Sequence, residues 1–244
     1  MRRCFFTAML IILVFTNGCF SMKPTTIRDI AYNINKSHGY KVYIQEDDEY
    51  VPYLVLTDDY NGNCLLLREY MLDEPMRVNP NGRFSAYYEN SEIDKYLNNE
   101  FLDKLSSEAR NKIDDSEIII TAKESLGVCG TETKTIVRKI FLLSYAELGG
   151  KESSTNVAEG KQLNYFKSYE SRIAKFSSNE VDSWWLRTPN TWYDNVVCGV
   201  SIDGVIGIAG VGGPGNDNLN GIRPAFCLSP NTKIKKDGDY YHIE

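Results

Sequence analysis

Histidine is almost absent from this chain. Its 244 residues hold only His38 and His242, so a zinc centre built from a cluster of cysteine and histidine has almost no material to draw on. No Cys-x-x-Cys, His-Glu-x-x-His, Gly-x-Ser-x-Gly or Gly-Lys-Ser/Thr occurs, which removes the sequence signals of metalloproteases, α/β-hydrolases and P-loop nucleotide binders. Asn216-x-Asn218-x-Asn220-Gly221 echoes a calcium loop. Only Asp217 there is ionised, however, and Cys227 stands where a bidentate Glu is due, so asparagines bonding locally in turns explain the segment better. The expectation is no metal and no cofactor.

An excess of positive charge is also lacking. Lys and Arg number 27 against 33 Asp and Glu. Loss of residues 1–18 removes Arg2 and Arg3 and no acid, leaving 25 against 33 and a net charge of −8. A nucleic-acid reader needs a basic face, and the tightest basic cluster, Lys233, Lys235 and Lys236, fits a solvated strand edge. A nucleic-acid partner is therefore not expected.

The longest apolar run, Phe5 to Phe15, is far short of the roughly 20 residues that cross a bilayer. With Arg2 and Arg3 before it, it reads as a secretory signal. Thr16-Asn17-Gly18-Cys19 follows. A small residue before a cysteine resembles the site where bacterial lipoproteins are cleaved and acylated, with Thr16 in place of the usual Leu. The expected organisation is a signal peptide over 1–18, a polar leader or tether over 19–38, and a single domain over 39–244. The chain would then work outside the cytoplasm, touching the membrane only through a lipid on Cys19, or be secreted.

What is present is enough for a core: 42% hydrophobic and 12% aromatic residues. Outside the cytoplasm Cys64, Cys129, Cys198 and Cys227 allow two disulfides in any of three connectivities. Ile27, Ile30, Ala31 and Ile34 have helical spacing. Asn61-Gly62 between two apolar runs predicts a hairpin. Ser91 opens a helix with Ile93, Leu97, Phe101 and Leu105 on one face, followed by another over 106–113. Ser144-x-x-Glu147 reads as a further helix start, and Leu163, Phe166, Tyr169 and Ile173 predict a helix over 163–176. The last third reads as strand. Together these give an α+β fold, with helices from the middle of the chain packed on a mostly antiparallel sheet.

Four blocks carry a resemblance: Ser91-Glu92-Ile93-Asp94-Lys95-Tyr96-Leu97-Asn98, Ile140-Phe141-Leu142-Leu143-Ser144 with Glu147, Trp184-Trp185-Leu186-Arg187-Thr188-Pro189, and Gly221-Ile222-Arg223-Pro224-Ala225-Phe226. In this order they resemble an uncharacterised domain family of bacteria and phages, over about residues 45 to 230. That family brings no established activity. More distantly, Asp217 to Arg223 is similar to the ending of sulfatase-modifying proteins, which implies a C-type-lectin-like C-terminal third. Some members of that wider group use a cysteine pair, which Cys198 and Cys227 would supply in a sulfatase-modifying-like oxidoreductase. Both cysteines lie in apolar strands with no basic neighbour in sequence to activate a thiol.

In a strand Trp184 and Trp185 face opposite sides, so one indole is free to sit beside Arg187 at the surface. The expected ligand-binding set is Trp184, Trp185, Arg187, Trp192, Asp194, Asp217 and Arg223, with no catalytic residue. The alternative is structural: both tryptophans packed, and Arg187 and Arg223 paired with Asp182, Asp194 or Glu180. The function this suggests is a non-catalytic extracytoplasmic module that recognises glycan or protein at the bacterial cell surface. The oxidoreductase and a structural envelope protein are the alternatives. If Cys19 is acylated, labelled palmitate enters the chain and Cys19→Ser abolishes the label; an unchanged label in that variant, or none in the parent, overturns the anchor.

Overall fold

The structure is a computed structural model and describes residues 23–33, 40–153, 156–207 and 219–244. It corrects the α+β expectation: 37% of the chain is strand and 14% helical, with a single helix of 13 residues. The main sheet curls into a half-barrel instead of offering a flat face to helices. Its strands are β1 (Lys41–Glu46), β2 (Glu49–Tyr60), β3 (Asn63–Arg68), β4 (Ile113–Asp114), β7 (Ile140–Phe141), β13 (Ala225–Leu228), β14 (Ile234–Asp237) and β15 (Tyr240–Ile243). Between them in sequence lie the ribbons β5 (Ser116–Thr121) with β6 (Thr133–Arg138) and β8 (Ala174–Lys175) with β9 (Val181–Asp182). A three-stranded sheet is made of β10 (Trp184–Pro189), β11 (Val197–Val200) and β12 (Ile206–Gly207). The lectin-like reading of the C-terminal third falls with the same correction, because β13 to β15 belong to the large sheet alongside β1 to β3.

The order of the large sheet is β14-β15-β1-β2-β3-β13-β4, with β7 also on β13. All pairings are antiparallel except β1 with β15. The Asn61-Gly62 hairpin forms as the sequence predicts. Asn61 and Gly62 take φ of 52° and 86°, the left-handed pair that a tight hairpin turn demands. Along β2 the register slips between Val55 and Thr57 and again between Thr57 and Tyr60. Each slip inserts an extra residue, and bulges of this kind bend a strand and sharpen its twist. β13 is enclosed on both edges, with β3 on one side and β4 and β7 sharing the other. Ala225, Phe226, Cys227 and Leu228 are accordingly all buried, as expected of a strand covered on both faces.

The helix over 92–104 begins as predicted. Ser91 Oγ accepts the Asp94 N–H at 3.1 Å, and Ile93, Leu97, Phe101 and Leu105 are buried. A π-helical turn at Leu97–Phe101 interrupts it. The helix expected over 106–113 also forms, as Ser107–Lys112, with Ser106 Oγ accepting the Ala109 N–H at 3.2 Å. The helices expected from Ser144 and over 163–176 do not. Ser144 and Glu147 make the reciprocal bonds of a capping box, Ser144 N–H to Glu147 Oε2 at 2.8 Å and Glu147 N–H to Ser144 Oγ at 3.1 Å. The chain then breaks at Gly149 (φ 91°) and Gly150. Residues 163–173 fold as turns around a 3-10 turn at Glu170–Arg172, and Ala174–Lys175 are strand β8. Only half of the predicted stripe is covered, since Leu163 and Phe166 are buried while Tyr169 and Ile173 are exposed.

The leader is docked where it is described. Ile27–Ile30 form a 3-10 turn whose Ile27 and Ile30 join the core, and the Tyr32 N–H reaches the Val55 carbonyl at 2.8 Å. Position 34 of the predicted leader helix lies outside the described residues. Phe101 is fully buried at the π-helical turn. Removing its ring leaves a cavity, so Phe101→Ala is expected to cost about 3–5 kcal/mol, read as a lower urea midpoint at unchanged slope.

Candidate functional site

A cleft of about 650 Å³ opens on one end of the half-barrel. The bulged end of β2 supplies Thr57, Asp58, Asp59 and Tyr60, and the hairpin turn supplies Asn61. Glu117 and Ile119 come from β5, Gly160 to Asn164 from a loop, and Tyr32 and Asn33 from the docked leader. Glu147 and Arg187 form the floor. The bulges account for this placement: an extra residue changes which face the following side chains meet. Asn61 Nδ2 donates to the Glu117 carbonyl at 2.9 Å and ties the hairpin tip to β5.

The floor is a buried ionic network. Both Arg187 and Glu147 have side chains of 0% exposure. All five guanidinium N–H groups are used: Nε to the Ile119 carbonyl at 3.0 Å, Nη1 to the Leu142 carbonyl (2.7 Å) and Glu147 Oε2 (2.9 Å), and Nη2 to Glu147 Oε1 (2.9 Å) and the Glu159 carbonyl (3.0 Å). The pair is bidentate, the strongest geometry available to it. Burial works against the charge on Arg187, but Glu147, Tyr60 and Glu159 outweigh it and hold its pKa above the usual value. Tyr60 Oη donates to Glu147 Oε1 at 2.6 Å, and its ring stacks on Phe141 at 5.8 Å. Burial, then the negative charge of Glu147, raises the Tyr60 phenol. Gly160, with φ +111°, passes so close that a Cβ there would sit 3.2 Å from Glu147 Oε1.

Glu159 closes the network from behind. Its Oε1 accepts from Thr121 N–H and Oγ1 at 2.6 and 2.7 Å, and Oε2 accepts from Thr188 Oγ1 at 2.6 Å. Its contact with Arg187 is longer, 3.7 Å to Nε. Burial dominates and raises its pKa, against the pull of Arg187 and the two threonines. Around the mouth Asp58, Asp59 and Glu117 face the single base Lys161, and all four are exposed.

Of the ligand-binding residues expected from the sequence, Arg187 alone lines this cleft. Trp184 and Trp185 are both buried, with Nε1 donating to the Arg172 and Met76 carbonyls at 2.9 and 2.8 Å. Strand alternation does not expose either indole, because β10 is covered on both faces and all six of its residues are buried. Its neighbour across a parallel bridge is Gly221, so the tryptophan and arginine segments do lie side by side. Arg223 is buried under them, its guanidinium 4.8 Å over the Trp184 ring. Trp192 stands 59% exposed on the loop after β10, and Asp194 is half-buried near Arg83. Asp217, Cys19 and the signal segment lie outside the described residues.

Cys64, Cys129, Cys198 and Cys227 are free thiols, so neither expected disulfide forms among the described residues. Burial pushes Cys64 and Cys227 up to about 12 and raises Cys198 as well. Cys198 lies in the small sheet and Cys227 in the large one, which does not make a reactive pair. Among the described residues no group of three or more His, Cys, Asp or Glu could hold a metal. Sequence reasoning missed Tyr60, Glu159 and Asn164. It took Glu147 for a helix start.

Breaking the buried pair from either side strands a charge. Glu147→Gln and Arg187→Met are each expected to cost about 3–5 kcal/mol in urea unfolding. Glu159→Gln is expected to cost less. The Glu159 pKa is raised on folding, so its contribution favours the fold at low pH and is lost as pH rises through the folded-state value. Glu159→Gln should remove that part of the pH dependence, and a variant whose stability profile keeps it overturns this account.

No curated protein and no solved structure matches the chain. The model of one family, a domain of unknown function named DUF6273, matches residues 61–230. That stretch starts at the hairpin turn and takes in Glu147, Glu159, Arg187 and Arg223. A match over more than half of the sequence makes this chain a member of the DUF6273 family.

Proposed function

We propose that the domain is a non-catalytic recognition module that binds a glycan through the cleft above Arg187. It works outside the cytoplasm, held at the bacterial cell surface by a lipid on Cys19. The observation that carries the reading is the division of labour in the cleft. Gln162 and Asn164 offer amides around the mouth, and Tyr32 and Tyr60 offer aromatic surface. Amides, carboxylates and aromatic rings are the groups that meet the hydroxyls and flat apolar faces of a sugar. Three acids against one lysine at the mouth favour an uncharged ligand over an anionic polymer.

The floor carboxylates are committed to structure. Glu147 and Glu159 are the buried carboxylates nearest the cleft, and both have their oxygens bound to fixed donors. A general base needs a free lone pair within reach of a substrate proton. The protein-ligand alternative rests on Trp192 and Tyr193, which are exposed on the loop after β10 and do not line the cleft. Titration calorimetry of the full chain against neutral oligosaccharides tests the reading. Asn164→Ala should weaken binding about tenfold, the worth of one hydrogen bond, and Trp192→Ala should leave it unchanged. No binding to any neutral glycan, or loss in Trp192→Ala with retention in Asn164→Ala, overturns it.

A further inference from the structure

Three arginines among the described residues are buried, Arg68, Arg187 and Arg223, and the first two have a carboxylate, as does the half-buried Arg138. Arg187 holds Glu147, Arg68 holds Glu46 at 2.9 Å, and Arg138 holds Asp94 at 2.8 Å. Arg223 is 2% exposed and makes no ion pair among the described residues. Its Nε donates to the Arg68 carbonyl at 3.1 Å, while Nη1 is buried with no partner. The contrast extends to proton affinity: burial lowers Arg223 to about 10, whereas the three paired arginines are all raised. A buried guanidinium left without a counter-charge is costly, and a Trp184 ring at 4.8 Å recovers only part of that cost.

Beside Arg223 lies a second cavity, of about 300 Å³. Leu54, Tyr165, Ile173 and Ala174 give it apolar and aromatic walls, with Ser171 between them. Among its other charged residues, Glu69 is bound by Lys41 at 2.7 Å, Glu170 is exposed to solvent, and Lys175 Nζ rests on Asn179 Oδ1. Arg223 is left as the one buried charge of a cavity whose walls are part polar and part apolar. We propose that this cavity binds a small organic monocarboxylate, its carboxylate on the free edge of Arg223 and its carbon body against Leu54, Tyr165 and Ile173. The site is distinct from the cleft above Arg187. It does not depend on that cleft binding a glycan.

The test is calorimetry and thermal unfolding of the full chain with propionate and benzoate at constant ionic strength. Propanol, glucuronate and phosphate are the comparison arms. Propionate or benzoate should raise the Tm with concentration, as a ligand of the folded state does, and propanol should not. A response to glucuronate alone, or to phosphate alone, overturns the apolar-acid assignment. Arg223→Gln should weaken binding at least about tenfold, the loss of a charge-assisted hydrogen bond, while leaving the ligand-free Tm no lower than in the parent. Should Arg223→Gln fail to fold, Ile173→Trp, at an exposed position lining the cavity, fills the pocket and must also abolish the response. A carboxylate effect that survives Ile173→Trp, or no effect in the parent, overturns the proposal.

Discussion

The bidentate contact between Arg187 and Glu147 is what the rest of the domain is arranged around. It joins segments forty residues apart in sequence, and through the carbonyls of Ile119, Leu142 and Glu159 it reaches β5, the chain after β7 and the loop before Gly160. A guanidinium with five N–H groups in a fixed plane tolerates such burial only when five acceptors stand in the matching places. Those acceptors come from four segments. The position of each is therefore constrained by the others, and the floor of the cleft is rigid for the same reason.

The cleft is the by-product of a second constraint, the curl of the large sheet. Two bulges in β2 turn its last four residues away from the regular alternation, and β13 must meet β3 on one edge while dividing the other between β4 and β7. A flat sheet would have carried Thr57 to Tyr60 straight past Glu147. Bent, it sets the Tyr60 hydroxyl 2.6 Å from that carboxylate and leaves Asp58, Asp59 and Asn61 at the mouth. Tyr60 thus belongs both to the strand that bends and to the network that is buried.

Local signals were legible in the sequence wherever they determine structure locally. Asn61-Gly62 gives its hairpin, and Ser91 with Ile93, Leu97, Phe101 and Leu105 gives its helix. They misled where tertiary contacts decide. Ser144 and Glu147 form a true capping box, yet no helix grows from it, because Gly149 and Gly150 break the chain and Arg187 claims the carboxylate. The stripe from Leu163 to Ile173 has helical period, but it folds as turns with Leu163 and Phe166 buried and Tyr169 and Ile173 exposed. The alternation argument for Trp184 and Trp185 assumes a sheet with one wet face, and β10 has none. Tyr60 and Glu159 carry no motif. Their roles come from a bulge and from a partner 28 residues away, and neither can be read from spacing.

The sequence reading treats Arg187 and Arg223 alike, as ligand contacts or as structural ion pairs, and burial separates them. One sits in a closed circuit of five acceptors and two carboxylates. The other has one carbonyl, one aromatic face and a neighbouring acid already committed to Lys41. Folding alone gives no reason to keep the second charge, since a neutral side chain of similar volume would pack against Trp184 without the desolvation cost. A buried positive group kept beside a cavity without a counter-charge is the expected mark of a binding site, where the missing half of the ion pair arrives with the ligand.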